Sequence, residues 1–362
     1  MNFNAIFLKS FRVLLLPFAL LYGLIIIIRN LLYDKNFMRS SEFNLPLICV
    51  GNLTVGGTGK SPMVEYLIHS LQPHFKIATI SRGYKRKTKG YVLANANSTA
   101  LEIGDEPMQF HMNFPDIDIA VGEERIVAIP QLLHDRPGTQ AIILDDAFQH
   151  REVRAGFNIL LTQYGDLFTK DFFLPTGDLR DQRSSYKRAD IIIVTKCPVT
   201  LTDAARKEII AEIVPLDHQK IFFTVIEYGI PYHITNHSTR QISNEDEVLL
   251  VCGIANPRPL KDYLFDTAAT YYQLDYNDHH IFRIDDLKDI KKRFDNIIAE
   301  RKMIITTEKD AVRLLKFTDE LKDMPLYVLP VKHCFLFNDG KDFDTLIMDF
   351  IRNFKMKGDP DL

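Results

Sequence analysis

The sequence predicts an α/β fold: a mostly parallel sheet with helices on both faces, a smaller second α/β unit, and an N-terminal membrane-associated helix. Three observations carry that expectation. From Leu45 onward, short β-branched runs alternate with helical stretches, the pattern of parallel strands joined by covering helices. The stretch ICVGNLTVGGTGKS, Ile48 to Ser61, sets an apolar run, a glycine-dense turn and Gly59-Lys60-Ser61 directly before a helical pattern. The start of the chain is far more apolar than the rest, with no charge between Val13 and Ile28.

The N-terminal stretch, residues 1–33, reads as a membrane anchor. Phe3, Ile6, Phe7 and Phe11 share one helical face, with Lys9 and Arg12 before the uncharged run and Arg29, Lys35 and Arg39 after it. The run Val13 to Ile28 is about 24 Å long as a helix, short of the roughly 30 Å hydrocarbon core, so it is marginal as a span. Pro17 is expected to bend or start a helix. A buried core helix and a cleaved signal peptide are the competing readings, and no small-x-small cleavage site follows Ile28 to support the latter.

The expected strands are Leu47–Val50, Ile77–Ile80, Ile117–Val121, Ala141–Leu144, Asn158–Thr162, Ile191–Thr195, Ile221–Ile226, Val248–Val251, Met303–Thr306 and Leu326–Val331. A shift to Pro, Asn, Ser and Thr around residues 228–247 marks a connector, and a hinge, between a core at 34–227 and a second unit at 248–362. Residues 356–362 read as a frayed polar tail.

At 362 residues and 46% hydrophobic, the chain can bury one large core or two moderate ones, which excludes a disordered protein. A net charge of −3 provides no overall basic field, so nucleic acid is not an expected partner. The four cysteines, Cys49, Cys197, Cys252 and Cys334, lack Cys-x-x-Cys spacing and read as small buried hydrophobes in a reducing compartment.

The glycine-dense turn has the parts of a phosphate-binding loop. Small residues let backbone N–H groups curl around phosphate oxygens, a lysine meets the outer phosphates, and a hydroxyl holds Mg²⁺. Thr54, Val55, Gly56, Gly57, Thr58, Gly59, Lys60 and Ser61 form that cradle, although Thr54 stands where the strict pattern has glycine. Pro62 suits the first turn of the helix that follows. Downstream, the strand Ala141–Leu144 runs straight into Asp145 and Asp146, as a strand that delivers a carboxylate to nucleotide-bound Mg²⁺ does. Adjacent carboxylates repel, which favours a cation beside them. The core is therefore expected to be of the P-loop kinase type. Thr195-Lys196-Cys197-Pro198 lacks the Asn/Thr-Lys-x-Asp pattern that reads guanine, so GTP has no support.

Asp105 and Glu106, in IGDEP, fit either a helix N-terminus or acid–base chemistry, because a kinase needs a carboxylate or imidazole to take the acceptor hydroxyl's proton. Arg82, in Ser81-Arg82-Gly83-Tyr84 after a strand, is placed to bind a phosphate or another anionic group. The run Lys85 to Lys89 is a solvated face or a contact for anionic lipid. Arg125 and Arg180 are further basic candidates. Gly253-Ile254-Ala255-Asn256-Pro257 forms a turn, and Asp278-His279-His280 offers two histidines of which at most one faces a site. Thr306-Thr307-Glu308-Lys309-Asp310 closes another strand, with no role assignable from charge alone.

Taken together, VGNLTVGGTGKSP, SRGY, GDEP, VGEERIVA, LDDAFQHR, LPTGDLRD, ADIIIVTK, GIANP, DHH and TTEKDAVRL, in this order behind an apolar N-terminus, resemble the tetraacyldisaccharide 4'-kinases of lipid A biosynthesis. In that family Thr54 is the usual residue at its position. The resemblance implies transfer of the γ-phosphoryl group of ATP, with Mg²⁺, to the 4'-hydroxyl of an acylated glucosamine disaccharide 1-phosphate. It implies Asp105 as the base paired with His279, Lys60 on the phosphates, and Ser61, Glu106, Asp145 and Asp146 around Mg²⁺. It implies Arg125, Gln149 and Arg180, beside Arg82, as substrate or phosphate contacts. The implied setting is the cytoplasmic face of the inner membrane, peripheral or held by a single anchor, with a lipid substrate and no obligate protein partner. A P-loop ATPase that acts as a switch or chaperone on a protein partner is the alternative from another class, and a P-loop kinase of a soluble metabolite is a third.

Overall fold

The structure, a computed structural model, describes residues 12–355; the expected helical face of Phe3, Ile6, Phe7 and Phe11 and the tail from Met356 lie outside the described residues. Its strands are β1 (Leu47–Asn52), β2 (Ile77–Ser81), β3 (Val92–Leu93), β4 (Asp118–Val121), β5 (Ala141–Asp145), β6 (Phe157–Gln163), β7 (Ile191–Thr195), β8 (Lys220–Tyr228), β9 (Tyr232–His233), β10 (Glu247–Cys252), β11 (Thr270–Asp275), β12 (Lys302–Thr307), β13 (Leu326–Leu329) and β14 (Val331–Phe335). Its helices are α1 (Leu16–Asp34), α2 (Lys60–Leu71), α3 (Ala100–Ile103), α4 (Asp105–Asn113), α5 (Arg125–Asp135), α6 (Asp203–Ile213), α7 (Arg258–Thr267), α8 (Ile284–Asp295), α9 (Glu308–Leu314), α10 (Thr318–Leu321) and α11 (Gly340–Arg352).

The large sheet has nine strands in the order β14-β8-β7-β6-β1-β5-β2-β4-β3, parallel except for its two edges. Strands β1, β2, β5 and β7 are buried at every position because both faces are covered. Leu47 and Cys49 of β1 enter one core, while Ile48 and Val50 enter the other with Met63, Val64, Leu67, Ile68 and Leu71 of α2. From β1 the chain builds outward through β2 and β4, and later through β6, β7 and β8 on the other side. The ends of β1 and β5 therefore flank the reversal point, where ligands bind in sheets of this kind. A five-stranded sheet, β11-β10-β12-β13-β9, forms the second unit with cores on both of its faces.

The second unit is smaller than the 248–362 expected from sequence. β14 pairs antiparallel with β8, from Val331 beside Tyr228 to Phe335 beside Thr224, and so belongs to the large sheet. Phe343, Ile347 and Ile351 of α11 fill the same core as α2. The cause is Pro330, which has no N–H for a ladder and divides the run Leu326–Val331 into strands of different sheets. The connector 228–247 contributes β9 to the second sheet, against β13. Strand β11 is absent from the sequence expectation because TYYQLD is an exposed edge with one buried side chain, Leu274.

Helix α1 has Pro17 in its first turn and buries Ala19, Gly23, Ile26, Asn30 and Tyr33, one face at helical spacing. Gly23 permits the close approach, since a Cβ there would lie 2.5 Å from the Phe173 ring. Asn30 Nδ2 donates to the buried Asp181 at 2.7 Å, and the Tyr22 hydroxyl donates to the Arg180 carbonyl at 3.1 Å. Leu20, Leu21, Leu24, Ile25, Ile28 and Leu31 are exposed. The apolar helix from Val13 to Asp34 is 22 residues long, enough to cross a membrane by length and composition.

Candidate active site

The loop after β1 is shaped by two left-handed glycines, Gly56 (φ 108°) and Gly59 (φ 87°), the second leading directly into α2. It is held from beneath. Thr195 Oγ1, at the end of β7, donates to the Thr58 carbonyl at 2.8 Å. His333 of β14 reaches the Gly59 carbonyl through Nε2 at 2.9 Å and Thr224 through Nδ1 at 2.9 Å. A carbonyl only accepts, so Nε2 carries the proton, and burial pushes this imidazole down to about 4 and keeps it neutral. A Cβ on Gly59 would come within 2.9 Å of that nitrogen. Val55 N donates to the Asp178 carbonyl at 2.8 Å, and Thr54 bridges to Leu179, which tie the other limb of the loop down.

Lys60 Nζ donates to Asn52 Oδ1 at 3.2 Å and lies 3.7 Å from Asp146. Burial lowers the lysine's affinity for its proton, an effect Asp146 opposes. Asp146, left-handed at φ 48°, is bound by both terminal nitrogens of Arg180, which also reaches Asn52 Oδ1. Burial would raise this carboxyl, but Lys60 and Arg180 hold it well below the usual carboxylate range.

Asp145 is the opposite case. It is buried, accepts from Ser81 Oγ at 3.2 Å, and is pushed up to about 6 by burial and then by Asp146 and Glu106. Of the adjacent pair, Asp145 is thus the carboxylate without an ion pair, its charge offset only in part by Lys60 and Arg125. Glu106 pairs with Lys309 of α9 at 2.8 Å; burial would raise its carboxyl, and Lys309 more than offsets that. Asn52 Nδ2 and Thr58 Oγ1 are buried without a protein partner. These residues suit a polyphosphate with Mg²⁺: unpartnered polar atoms and a buried lysine for oxygens, and a buried carboxylate without an ion pair, with the Ser61 hydroxyl at the start of α2, for a hard cation that keeps several non-protein ligands.

Asp105 opens α4 but does not cap it. Its Oδ2 accepts from His279 Nδ1 at 2.8 Å and from Arg313 Nη2 at 2.6 Å, both supplied by the second unit, while Oδ1 has no partner among the described residues. Burial raises this carboxyl, and the two donors outweigh it, so it stays below its ordinary value. His279 is left-handed (φ 63°) and packs edge-on to Tyr84 with ring centroids 5.6 Å apart. His280 turns away to Asp286 at 3.0 Å and stacks on Tyr276. The same interface holds Asn113 between Glu65 at 2.8 Å and Glu308 at 3.1 Å.

The four residues expected at the substrate are placed differently from one another. Arg82 is exposed at the end of β2. Arg125 is 1% exposed, donates to the carbonyls of Gly122 and Asp145, and is pushed down to about 10 by burial. Gln149 Nε2 donates to the Asn52 carbonyl at 2.7 Å, and its own carbonyl accepts from Arg29 of α1 at 2.8 Å. Arg180 is the Asp146 clamp. Sequence reasoning named Lys309 without a role and gave Arg313, His333 and Thr195 no place in the site; Lys309 pairs with Glu106 and Arg313 with Asp105. Lys309 and Arg313 had a signal in the Lys309/Asp310/Arg313 spacing behind a strand end, whereas nothing local marks His333 or Thr195 as site residues.

The loop of Gly56 to Ser61 and Asp145 thus occurs with a carboxylate that has one oxygen held and one free, next to Glu106, whose charge reaches Asp145. Such a site suits a hydroxyl that loses its proton as it gains a phosphoryl group, which defines the class as a P-loop phosphotransferase. Comparison with known proteins narrows the class. The model of the LpxK family, tetraacyldisaccharide-1-P 4'-kinase, matches residues 11–352. The tetraacyldisaccharide 4'-kinase of Flavobacterium johnsoniae is 47% identical over 343 residues, 94% of this chain and 97% of that protein. That of Phocaeicola vulgatus is 42% identical, covering 93% and 94%. The crystal structure of LpxK from Aquifex aeolicus in complex with ATP superposes with a TM-score of 0.73 at 26% identity, over 94% of this chain and 99% of that one. The chain belongs to the tetraacyldisaccharide-1-P 4'-kinase family.

Proposed function

We propose that the protein is an ATP-dependent lipid kinase that phosphorylates the 4'-hydroxyl of a tetraacyldisaccharide 1-phosphate in lipid A biosynthesis, the activity named for its relatives. The single observation that carries the chemistry is Asp105: one oxygen bonded by two donors, the other free, next to Glu106, whose charge reaches Asp145. Asp105 takes the proton of the acceptor hydroxyl, and His279 holds its carboxylate in place. Lys60 binds the outer phosphates of ATP, Thr54 to Ser61 wrap the rest, and Arg180 keeps Asp146 and Lys60 in register. Ser61 and Asp145 would hold Mg²⁺, with Asp146 and Glu106 adding negative charge nearby. Bound there, Mg²⁺ neutralises charge on the phosphate oxygens.

Exposed Arg82 is the residue of the basic group best placed for an anionic part of the substrate, while Arg125 and Gln149 support the site from below. The exposed face of α1 seats the protein on the membrane that holds its substrate, at the cytoplasmic face, where ATP is found. Support comes from its apolar surface and from Arg29 and Asn30, which dock the same helix onto the loops of Gln149 and Asp181 beside the site. The connector 228–247 acts as the hinge between the units.

The test is incubation with γ-labelled ATP, Mg²⁺ and tetraacyldisaccharide 1-phosphate in detergent. Label is expected on the lipid, and Asp105→Asn should abolish transfer while ATP still binds. Label released as free phosphate irrespective of lipid would overturn the reading in favour of an ATPase.

A further inference from the structure

The sequence motifs GIANP and TTEKDAVRL meet at Asp310, and the second reaches from there to Asp105. Arg313, the last basic residue of the second motif, places Nη2 2.6 Å from Asp105 Oδ2 and 3.0 Å from His279 Nδ1. Its side chain is 7% exposed, so this contact is not a solvated surface pair.

Arg313 is itself held. Its Nη1 donates to Asp310 Oδ1 at 3.2 Å, one helical turn earlier on α9. Asp310 is fully buried, and its Oδ2 accepts from the Gly253 backbone N–H at 2.9 Å and from Thr307 Oγ1 at 2.8 Å. Gly253 must be small for this: a Cβ there would stand 3.1 Å from Asp310 Oδ1 and 3.1 Å from the Asn277 carbonyl. A chain of hydrogen bonds therefore runs from the turn after β10, through the N-terminus of α9, to a carboxylate on the other unit.

A guanidinium only donates, so Arg313 and a proton on His279 Nδ1 cannot bond each other; both point at the one acceptor between them, Asp105 Oδ2. Two donors on Oδ2 fix the plane of the carboxylate and leave Oδ1 to accept. A histidine alone, with one contact, leaves the carboxylate free to rotate about that bond.

We infer that Arg313, set by Asp310 and Gly253, is a positioning residue for phosphoryl transfer: it pins Oδ2 of Asp105 so that Oδ1 faces the acceptor hydroxyl. The inference rests on Asp105 being the proton acceptor. Because Arg313 and His279 belong to the second unit and Asp105 to the first, the base is aligned only when the two units are together.

The experiment measures kcat and both KM values for the full-length protein and for Arg313→Ala, Arg313→Gln, Arg313→Lys, Asp105→Asn and Asp105→Asn with Arg313→Ala. The ATP-induced rise in Tm checks folding of each variant. Arg313→Ala and Arg313→Gln are expected to lose roughly 10- to 100-fold in kcat with both KM values within about twofold, the signature of a group needed in the transition state. Guanidinium ion added to Arg313→Ala should restore part of the rate, and Arg313→Lys should recover more than Arg313→Gln. The double variant should be no slower than Asp105→Asn, because Arg313 acts through that carboxylate. Wild-type kcat in Arg313→Gln, a loss confined to KM, or additive losses in the double variant would overturn the inference while the base assignment stood. Wild-type kcat in Asp105→Asn would overturn the base assignment, and the inference with it.

Discussion

Arg180 grips both carboxylate oxygens of Asp146, and the same two residues contact Lys60 or its partner Asn52. The second acid of the Asp145-Asp146 pair is thereby neutralised by the protein itself. Arg180→Ala leaves Lys60 as the nearest cation to Asp146 and draws it away from the phosphates. ATP affinity measured calorimetrically should fall about tenfold, an effect of about 1.4 kcal/mol. Unchanged affinity would mean that the clamp does not position Lys60.

Asp145 is raised in the folded protein from 3.8 to about 6, mainly by burial. A carboxyl raised on folding contributes stability that is fully present below its unfolded value and is lost as pH rises through the folded one. Metal-free protein should therefore lose about 1–3 kcal/mol between pH 4 and pH 7 through this group. Asp145→Asn should lack that loss in denaturation at the two pH values. Mg²⁺ with ATP should restore stability at pH 7 in the wild type and not in the variant, and chelating Mg²⁺ should stop transfer. An identical pH profile for both proteins would refute the account.

Asn30 is a buried amide on a mostly apolar helix, and its partner Asp181 also accepts from Arg188 at 2.9 Å and Ser185 at 3.0 Å. Asn30→Ala removes one donor from a buried carboxylate and should cost about 1–3 kcal/mol in chemical denaturation. A cost near zero would show that α1 is docked by its apolar contacts alone.

Leu20, Leu24 and Ile28 stand on the exposed face of α1. Changing all three to Gln should reduce sedimentation with phospholipid vesicles at least tenfold, since each removes on the order of 2 kcal/mol of apolar transfer energy, while ATP still raises Tm. Vesicle binding equal to wild type would place the membrane contact elsewhere.

Much of the fold was legible in the chain because buried parallel strands are written as uninterrupted apolar runs. Ile191–Thr195 and Val248–Val251 need no context to be read. The edges were not: Thr270–Asp275 is polar because it is exposed, and His333 lies on a strand whose partner, β8, comes about a hundred residues earlier. The phosphate loop was legible for a similar reason, since glycine, lysine and serine act there through consecutive backbone positions. Which of Asp145 and Asp146 is held in an ion pair was not, because the answer depends on Arg180, 34 residues away.

By itself, then, the sequence determined the α/β class, the position of the phosphate cradle, the acids near it and the apolar N-terminal helix. These are properties of residues close together along the chain. The tertiary structure decided that His279 and not His280 faces Asp105, that Arg313 joins them, that β14 returns to brace the loop, and that only one face of α1 stays exposed. Each of these depends on which distant segments are packed together, and a hydrogen bond at 2.6–2.9 Å leaves no sign in the local pattern of either partner.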